Sequence, residues 1–144
     1  MSTRSVPAAM ALVFALLVCV GFGIGGCAGA GADRVKLQGR SGLAAVYEGG
    51  WVSVTAPDTV RVGGAIAAAE SVLRARGYSI DRSEATEEGG RVVALPPRSG
   101  GSPRVVVMSE RTGAGVVIRV KREPFGDEQV SRSVMDGVLK ALGL

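Results

Sequence analysis

The sequence predicts an α+β domain, a two-layer sandwich in which a mostly antiparallel sheet of about five strands carries two helices on one face. Three observations support this fold class. The segment Trp51–Ala56 alternates between apolar and polar residues, two longer segments place apolar residues at helical spacing, and short β-branched runs lie between them. The resulting order is β-α-β-β-β-β-α. Consecutive strands joined by short turns pair antiparallel, and two amphipathic helices need one apolar sheet face to cover.

The first helix follows the alternating strand. Pro57 ends the strand, and Asp58 is placed to cap the helix. Gly77 stands in the position that ends a helix with a left-handed residue. Gly63 and Gly64 weaken the first turn, and we expect them to let the helix lie close to the sheet. The apolar positions share one helical face and are Val62, Ala65, Ile66, Ala69, Val72 and Leu73.

Four strands and a second helix complete the predicted domain. The strands are Tyr78–Arg82, Arg91–Leu95, Arg104–Met108 and Gly115–Lys121, separated by turn-forming segments. The second helix begins at Asp127 and ends at Gly143, and its apolar stripe consists of Val130, Val134, Val138 and Leu142. We expect Phe125 to close the end of the sheet and Gly126 to allow the sharp turn into this helix.

Residues 1–26 have the organisation of a secretory signal. Arg4 lies in a short polar head, Ala8–Val20 is uncharged, and two glycines precede Cys27. This pattern resembles the bacterial lipobox, which implies diacylglycerol in thioether linkage on Cys27, with that residue as the mature N-terminus. An uncleaved transmembrane anchor is the alternative, because Ala8–Ile24 is nearly long enough to span a bilayer.

A nucleotide-binding loop is a third interpretation of the same stretch. Gly21, Gly23 and Gly26 satisfy the G-x-G-x-x-G spacing. That motif must follow a core strand and open an amphipathic helix, whereas the segment Ala28–Asp33 is too rich in glycine to form a stable helix. We therefore expect no dinucleotide cofactor.

The rest of the chain is expected to form a tether and one domain. Residues 27–45 have the composition of a flexible Gly/Ala-rich tether, and residues 46–144 form the single α+β domain. Ala28 follows the cysteine, whereas an aspartate at that position is the common signal for inner-membrane retention. We therefore expect the outer membrane rather than the inner one, if the envelope has two.

Composition excludes several kinds of chemistry. The chain has no histidine, and its two cysteines are Cys27 and Cys19, which lies inside the signal. No disulfide, thiol nucleophile or histidine base is therefore expected in the mature protein, and no serine has a partner to activate it. Glu84, Glu87 and Glu88 could bind a hard cation but lack the spacing of a calcium loop, so we interpret them as a solvated hairpin tip. The sequence predicts no catalytic, metal-binding or cofactor-binding residue.

Partners are limited by charge and by export. Without Arg4 the mature chain has 16 basic and 13 acidic residues, which leaves it near +3. No basic stripe is interleaved with aromatic residues, so nucleic acid is not an expected partner. Alternation places Trp51, Arg119 and Lys121 on the sheet face opposite the helices. This face is either a partner-binding surface or an ordinary solvated sheet.

The chain resembles a family of small bacterial lipoproteins that contain a domain of unknown function. The resemblance rests on the lipobox, on Tyr47 and Gly50 before the first predicted strand, on Leu73 followed by Gly77-Tyr78, and on the segment Arg119–Glu128 with its Phe-Gly-Asp. It implies the fold and a membrane-anchored location. The family has no assigned activity to transfer.

Together these observations predict a non-enzymatic lipoprotein of the cell envelope, an accessory or binding module held at the membrane by Cys27. The alternative is a periplasmic enzyme or small-ligand carrier. That alternative requires a cavity of roughly 300 Å³ or more between the sheet and the helices.

Overall fold

The computed structural model describes residues 34–97 and 103–144, so the predicted signal and Cys27 lie outside the described residues. The described residues form seven strands and two helices. They are β1 (Val35–Gln38), β2 (Leu43–Glu48), β3 (Trp51–Ala56), α1 (Val62–Ala75), β4 (Ser79–Ala85), β5 (Gly89–Leu95), β6 (Arg104–Thr112), β7 (Gly115–Glu123) and α2 (Glu128–Ala141). The predicted α+β class with an antiparallel sheet is confirmed. The predicted number of strands, about five, is wrong, because two more strands precede β3.

The strands form one antiparallel sheet in the order β1-β2-β3-β7-β6-β5-β4. Strands β1 to β3 make one meander and β4 to β7 make another, and α1 connects the two. The meanders join where β7 pairs with β3, with Val54 opposite Ile118. The last strand before α2 therefore lies in the interior of the sheet, and β1 and β4 form its edges.

The two additional strands correct the predicted tether. The domain does not begin at residue 46, because β1 and the first half of β2 lie between residues 35 and 45, inside the range predicted to be flexible. Val35 and Leu37 in β1 are 46% and 73% exposed, so their side chains do not form the buried face that reveals a strand in sequence. Only residues 28–33 remain between Cys27 and the described domain, which starts at Arg34.

The core lies between the helices and one face of the sheet. In β3 and β7 the residues that alternate with those predicted to face away from the helices are buried: Val52, Val54, Val116, Ile118 and Val120. In the two neighbouring strands, Val92, Ala94, Val105 and Val107 join the same cluster. Helix α1 packs against β4, β5 and β6, and α2 packs against β7, β3 and β1. The side chains that contact the helices thus share one face of each strand.

Helix α1 begins later than its predicted cap. Asp58 does not cap it; the N-cap is Arg61, which makes no side-chain capping hydrogen bond. The backbone N–H of Val60 donates to the carbonyl of Pro57 at 3.1 Å, and the Val60 side chain is buried. This extra turn separates Asp58 from the helix, so its carboxylate cannot reach the free N–H groups of the first turn.

The glycines that let helix and sheet approach are not the predicted ones. Gly63 and Gly64 are exposed, and a β-carbon built on either would have no neighbour within 4 Å. The close approach is made by Gly90 of β5, where a β-carbon would lie 2.6 Å from Cγ1 of Ile66. A glycine in the strand therefore makes room for α1.

Helix α2 begins and ends where the sequence predicts. Asp127 is its N-cap, and the carboxylate accepts a hydrogen bond from the N–H of Val130 at 3.0 Å. The N–H of Val130, and next the guanidinium of Arg122, hold the pKa of Asp127 below its ordinary value. Gly143 follows the helix with φ +81°, the left-handed conformation expected there.

Neither helix described by the structure is long and apolar enough to cross a bilayer.

Candidate functional site

The sheet face that the helices leave uncovered is the candidate site, and we call it the open face. Strand alternation places on it the side chains that neighbour the core residues in sequence. Four of the five exposed large apolar side chains in the described residues belong to this face: Val35, Leu37, Val46 and Met108. The open face is therefore more apolar than a sheet surface that only meets water.

One row of side chains crosses all seven strands. Register pairing places the following residues side by side: Val35, Val46, Ser53, Arg119, Met108, Arg91 and Glu84. Neighbouring strands lie about 4.8 Å apart, so Arg119 and Arg91, two strands apart on either side of Met108, are about 10 Å from each other along the row. An apolar thioether thus lies between two guanidinium groups.

A second row lies nearer the turn between β2 and β3. The Nζ atom of Lys121 is 5.6 Å from the ring centre of Trp51, within the range of a cation–π interaction. Lys121 pairs with Val106, which in turn pairs with Val93. Both valines face away from the helices, yet Val106 is 0% and Val93 is 5% exposed. The middle of the open face is therefore apolar, with cationic side chains beside it.

The cationic side chains at the middle of this face form no ion pairs with acidic side chains of the described residues. In residues 34–97 and 103–144, Arg91, Arg119 and Lys121 take part in no ion pair. Arg104, at the end of the same face, pairs with Glu123. Three cations next to an apolar centre are therefore available to an external group.

All three residues predicted for a partner face lie on the open face. Trp51 and Lys121 are in contact, and Arg119 lies two residues from Lys121 on the same strand. Sequence reasoning missed Met108 and Arg91. Both residues lie in strands with uninterrupted runs of valine, β5 and β6. These strands are apolar on both faces, so no alternation shows which residues point outward.

The acidic turn predicted as a solvated hairpin tip connects β4 and β5. Glu84, Glu87 and Glu88 are all exposed. Thr86 closes the turn: its N–H donates to the carbonyl of Gly89 at 2.8 Å, and its hydroxyl donates to the same oxygen at 2.9 Å. Within the part of the chain that the structure describes, no group of three or more His, Cys, Asp or Glu residues could hold a metal ion.

The loop after β7 differs from its prediction. Phe125 does not close the end of the sheet, because it is 93% exposed. The end is closed by two glycines instead, since a β-carbon on Gly126 would lie 2.7 Å from Cα of Gly50. Gly126 has φ +86°, which agrees with the sharp turn predicted there. This backbone contact occupies the place expected for the ring, so Phe125 projects outward.

This loop also brings together three of the residues on which the family resemblance rests. A β-carbon on Gly126 would lie 3.1 Å from the hydroxyl of Tyr47, so Tyr47, Gly50 and Gly126 meet. A shallow depression of about 200 Å³ lies at the same loop, lined by Pro103, Arg122, Glu123, Pro124, Phe125 and Gly126. It is on the surface of the loop and not between the sheet and the helices.

No protein-family model matches the chain, and no curated protein matches it. The resemblance to the lipoprotein family stays a prediction from the motifs.

Proposed function

We propose that this protein is a bacterial lipoprotein, anchored to a membrane of the cell envelope through Cys27 and acting as a non-enzymatic binding module. The anchor is supported by the lipobox resemblance of residues 1–27. A diacylglycerol brings two acyl chains, and two chains anchor a protein stably where a single chain does not. Ala28 favours the outer membrane if there are two.

The binding surface in this proposal is the open face of a two-layer domain. The observation that carries it is the group formed by Arg91, Arg119 and Lys121, three cations without ion pairs among the described residues, next to Trp51 and Met108. Tryptophan and arginine are the residue types most enriched where protein interfaces obtain their affinity. A solvated sheet face needs no such combination.

Charge selects the partner, which we take to be an acidic segment of another envelope protein. A guanidinium binds a carboxylate with two parallel hydrogen bonds, and such charge-assisted bonds are about twice as strong as neutral ones. The exposed apolar side chains of the face, Val46 and Met108, suit apolar side chains that alternate with the carboxylates of the same segment. One extended acidic peptide would supply both the carboxylates and the apolar side chains.

A carrier or enzyme would need a cavity between the sheet and the helices. The residues that meet there, including Val54, Ile118, Leu73, Met135 and Leu139, are 0–2% exposed. They pack against one another in a single cluster. No observation favours this alternative over the binding module.

Replacement of the lipidation residue tests the anchor. We expect Cys27→Ser to abolish acylation and to leave an unprocessed precursor that keeps its apolar signal. The measurement is metabolic labelling with a fatty acid, combined with the intact mass of the chain. Normal processing of the variant to a shorter mature form would contradict the anchor. Fractionation that finds the parent only in an inner membrane would contradict the proposed sorting.

Crosslinking in the envelope tests the binding surface. A photoreactive residue at Ser53, beside Arg119 in the register, should capture a partner whose contact peptide is acidic. The double change Arg119→Glu and Lys121→Glu should abolish the crosslink. The matched control reverses Arg61 and Arg74, two exposed arginines of the helix layer, and should leave it intact. A crosslink that survives the first double change, or a basic contact peptide, would overturn the proposal.

A further inference from the structure

The two ends of the sheet differ, and the chain enters near its middle, where Val35 lies level with Arg119 of β7. Strand β1 begins at Val35 opposite Val46, and runs away from the turn Gly49–Gly50 and the loop of residues 123–126. We call the end with this turn and this loop the Phe125 end. At the opposite end, the N–H of Arg40, just after β1, donates to the C-terminal residue Leu144 at 2.7 Å.

Phe125 is held in an exposed position at this end. The N–H of Gly126 donates to the carbonyl of Arg122 at 2.8 Å, and Arg122 forms an ion pair with Asp127 at 2.7 Å. With the contact between Gly126 and Gly50, these bonds fix both sides of the loop. The loop therefore holds the aromatic ring in its exposed position before any partner binds. Exposure of an apolar ring to water costs free energy, and a loop that only faces solvent does not require it.

The charges are divided between the ends. At the Phe125 end the acids Glu123 and Asp127 are neutralised by Arg104 and Arg122. Arg34, Lys121 and the exposed Glu48, also nearer this end, form no ion pair among the described residues. The opposite end carries four exposed carboxylates and three exposed arginines without ion pairs in the same part of the chain: Asp58, Glu87, Glu88, Glu110, Arg40, Arg61 and Arg111. The unpaired charges leave a small positive excess at the Phe125 end and a small negative excess at the other, so an anionic surface favours the Phe125 end.

The distance to the anchor is short. Cys27 and Arg34 are seven residue steps apart, so even a fully extended chain spans at most about 25 Å. A lipid on Cys27 would therefore keep the domain close to the bilayer. Aromatic side chains are favoured at the level of the lipid headgroups, and nearby cations add attraction to anionic lipids.

We propose that the Phe125 loop docks on the bilayer that holds the Cys27 lipid, with the ring of Phe125 inserted among the headgroups. This proposal rests on the proposed function, since it requires the anchor. The domain then stands on its Phe125 end, with the acidic turns away from the membrane. The open face points sideways and stays accessible to a partner.

A fluorophore placed on the intact lipoprotein tests the docking. Two variants, Gln129→Cys and Ala114→Cys, each introduce an exposed thiol and keep the Phe125 ring; the first lies beside the Phe125 loop in the first turn of α2, the second in the turn between β6 and β7 at the opposite end. In the mature lipoprotein Cys27 is acylated, so the introduced thiol is the only one to react with an environment-sensitive dye. The processed proteins are reconstituted in vesicles of phosphatidylethanolamine and phosphatidylglycerol. A thermal melt of each variant checks that the fold is unchanged.

The dye at position 129 should emit at shorter wavelength and be quenched by lipids that carry a quencher near the headgroup. Its quenching by aqueous iodide should be on the order of tenfold weaker than at position 114, which corresponds to a docking preference of about 1.4 kcal/mol. Equal quenching at both positions, in a protein whose mass shows the lipid on Cys27, would overturn the docking and leave the anchor intact. Protection at position 114 alone would also overturn it. A mass without lipid would overturn the anchor, and the docking with it.

Discussion

The N-terminal hairpin of β1 and β2 and the sheet of β3 to β7 are held to the helices in different ways. In β3 and β7 the inward side chains, such as Val52, Ile118 and Val120, are fully buried apolar groups. The hairpin contributes one residue, Ala45, to the fully buried apolar set, while Leu43 and Tyr47 pack at its margin. The hairpin is therefore a part of the domain that apolar packing alone does not explain.

Polar contacts with α2 supply the rest of the attachment. Arg132 is 8% exposed; it donates to the carbonyl of Ala45 at 3.2 Å, to that of Arg34 at 3.1 Å, and to Glu128 at 2.7 Å. Asp136 accepts a hydrogen bond from the N–H of Gly39 at 3.2 Å. One helix therefore attaches two parts of the sheet, one through its apolar stripe and the other through the charged residues beside it.

A charge in the apolar stripe should have the largest effect. Val134→Asp places a carboxylate at a fully buried position without a partner, so we expect a loss of several kcal/mol from a total of about 5–15. Urea unfolding of the mature protein in detergent measures it. Ser133→Asp is the matched control, because it puts the same side chain on an exposed position one residue away. Equal unfolding midpoints for the two variants would show that the core is assigned to the wrong face.

Loss of the buried arginine should have the next largest effect and should act on the hairpin. Arg132→Met removes the side-chain donor to the carbonyls of Ala45 and Arg34, and we expect a loss of about 1.5–3 kcal/mol. Trypsin cleavage after Lys36 should become faster as β1 detaches. Arg74→Met removes an exposed pair with Glu70 and should change stability by less than about 1 kcal/mol. Unchanged cleavage after Lys36 in Arg132→Met would contradict the polar attachment.

Acid should loosen the hairpin before the core. Lys140, then the N–H of Gly39, lower the pKa of Asp136, and Arg132 lowers that of Glu128. Because the folded-state pKa values lie below the unfolded ones, this stabilisation is complete above about pH 4.5 and is lost as the pH falls through the folded values. Hydrogen exchange at pH 3 and pH 7 should show a greater loss of protection in β2 than in β7. The effect is small because both carboxylates are largely solvated. Equal losses in the two strands would contradict it.

The open face should have the smallest effect on stability. Arg119→Ala should change the free energy of unfolding by no more than about 0.5 kcal/mol, since Arg119 is exposed and has no ion pair among the described residues. Lys121→Ala removes the contact with Trp51 and should cost up to about 1 kcal/mol. Thermal melts of both variants measure these changes. Unfolding of either variant at room temperature would show that this face is structural.

The same contrast explains what could be predicted from the sequence. The strand Trp51–Ala56 and the helix capped by Asp127 were predicted correctly, because their buried side chains recur at the period of the element that forms. Strand β1 was missed although its four residues alternate, because its apolar side chains face outward. Lys36, on the other side of the strand, lies 3.7 Å from Glu128 of α2. A strand of four residues whose apolar side chains face outward does not show the pattern by which a buried sheet face is recognised in a sequence.

The candidate site was predicted only where alternation is strict. Trp51, Arg119 and Lys121 lie in strands with one polar face, so their outward direction follows from the core residues beside them. Met108 could not be oriented, because its strand contains three valines in succession. The exposure of Phe125 depends on a contact between Gly50 and Gly126, which are 76 positions apart in the sequence, and no local pattern reports such a contact.

Residues 35–48 belong to the folded domain, although a flexible tether was predicted as far as residue 45. Native-state hydrogen exchange of the mature, membrane-anchored protein tests it most directly, because amides in a paired strand exchange far more slowly than amides in a flexible linker. We predict that the amides of β2 that pair with β3, from Ala45 to Glu48, are protected to a degree comparable with the amides of β3 itself. Complete exchange of residues 35–48 within the first seconds, with β3 to β7 still protected, would contradict the account.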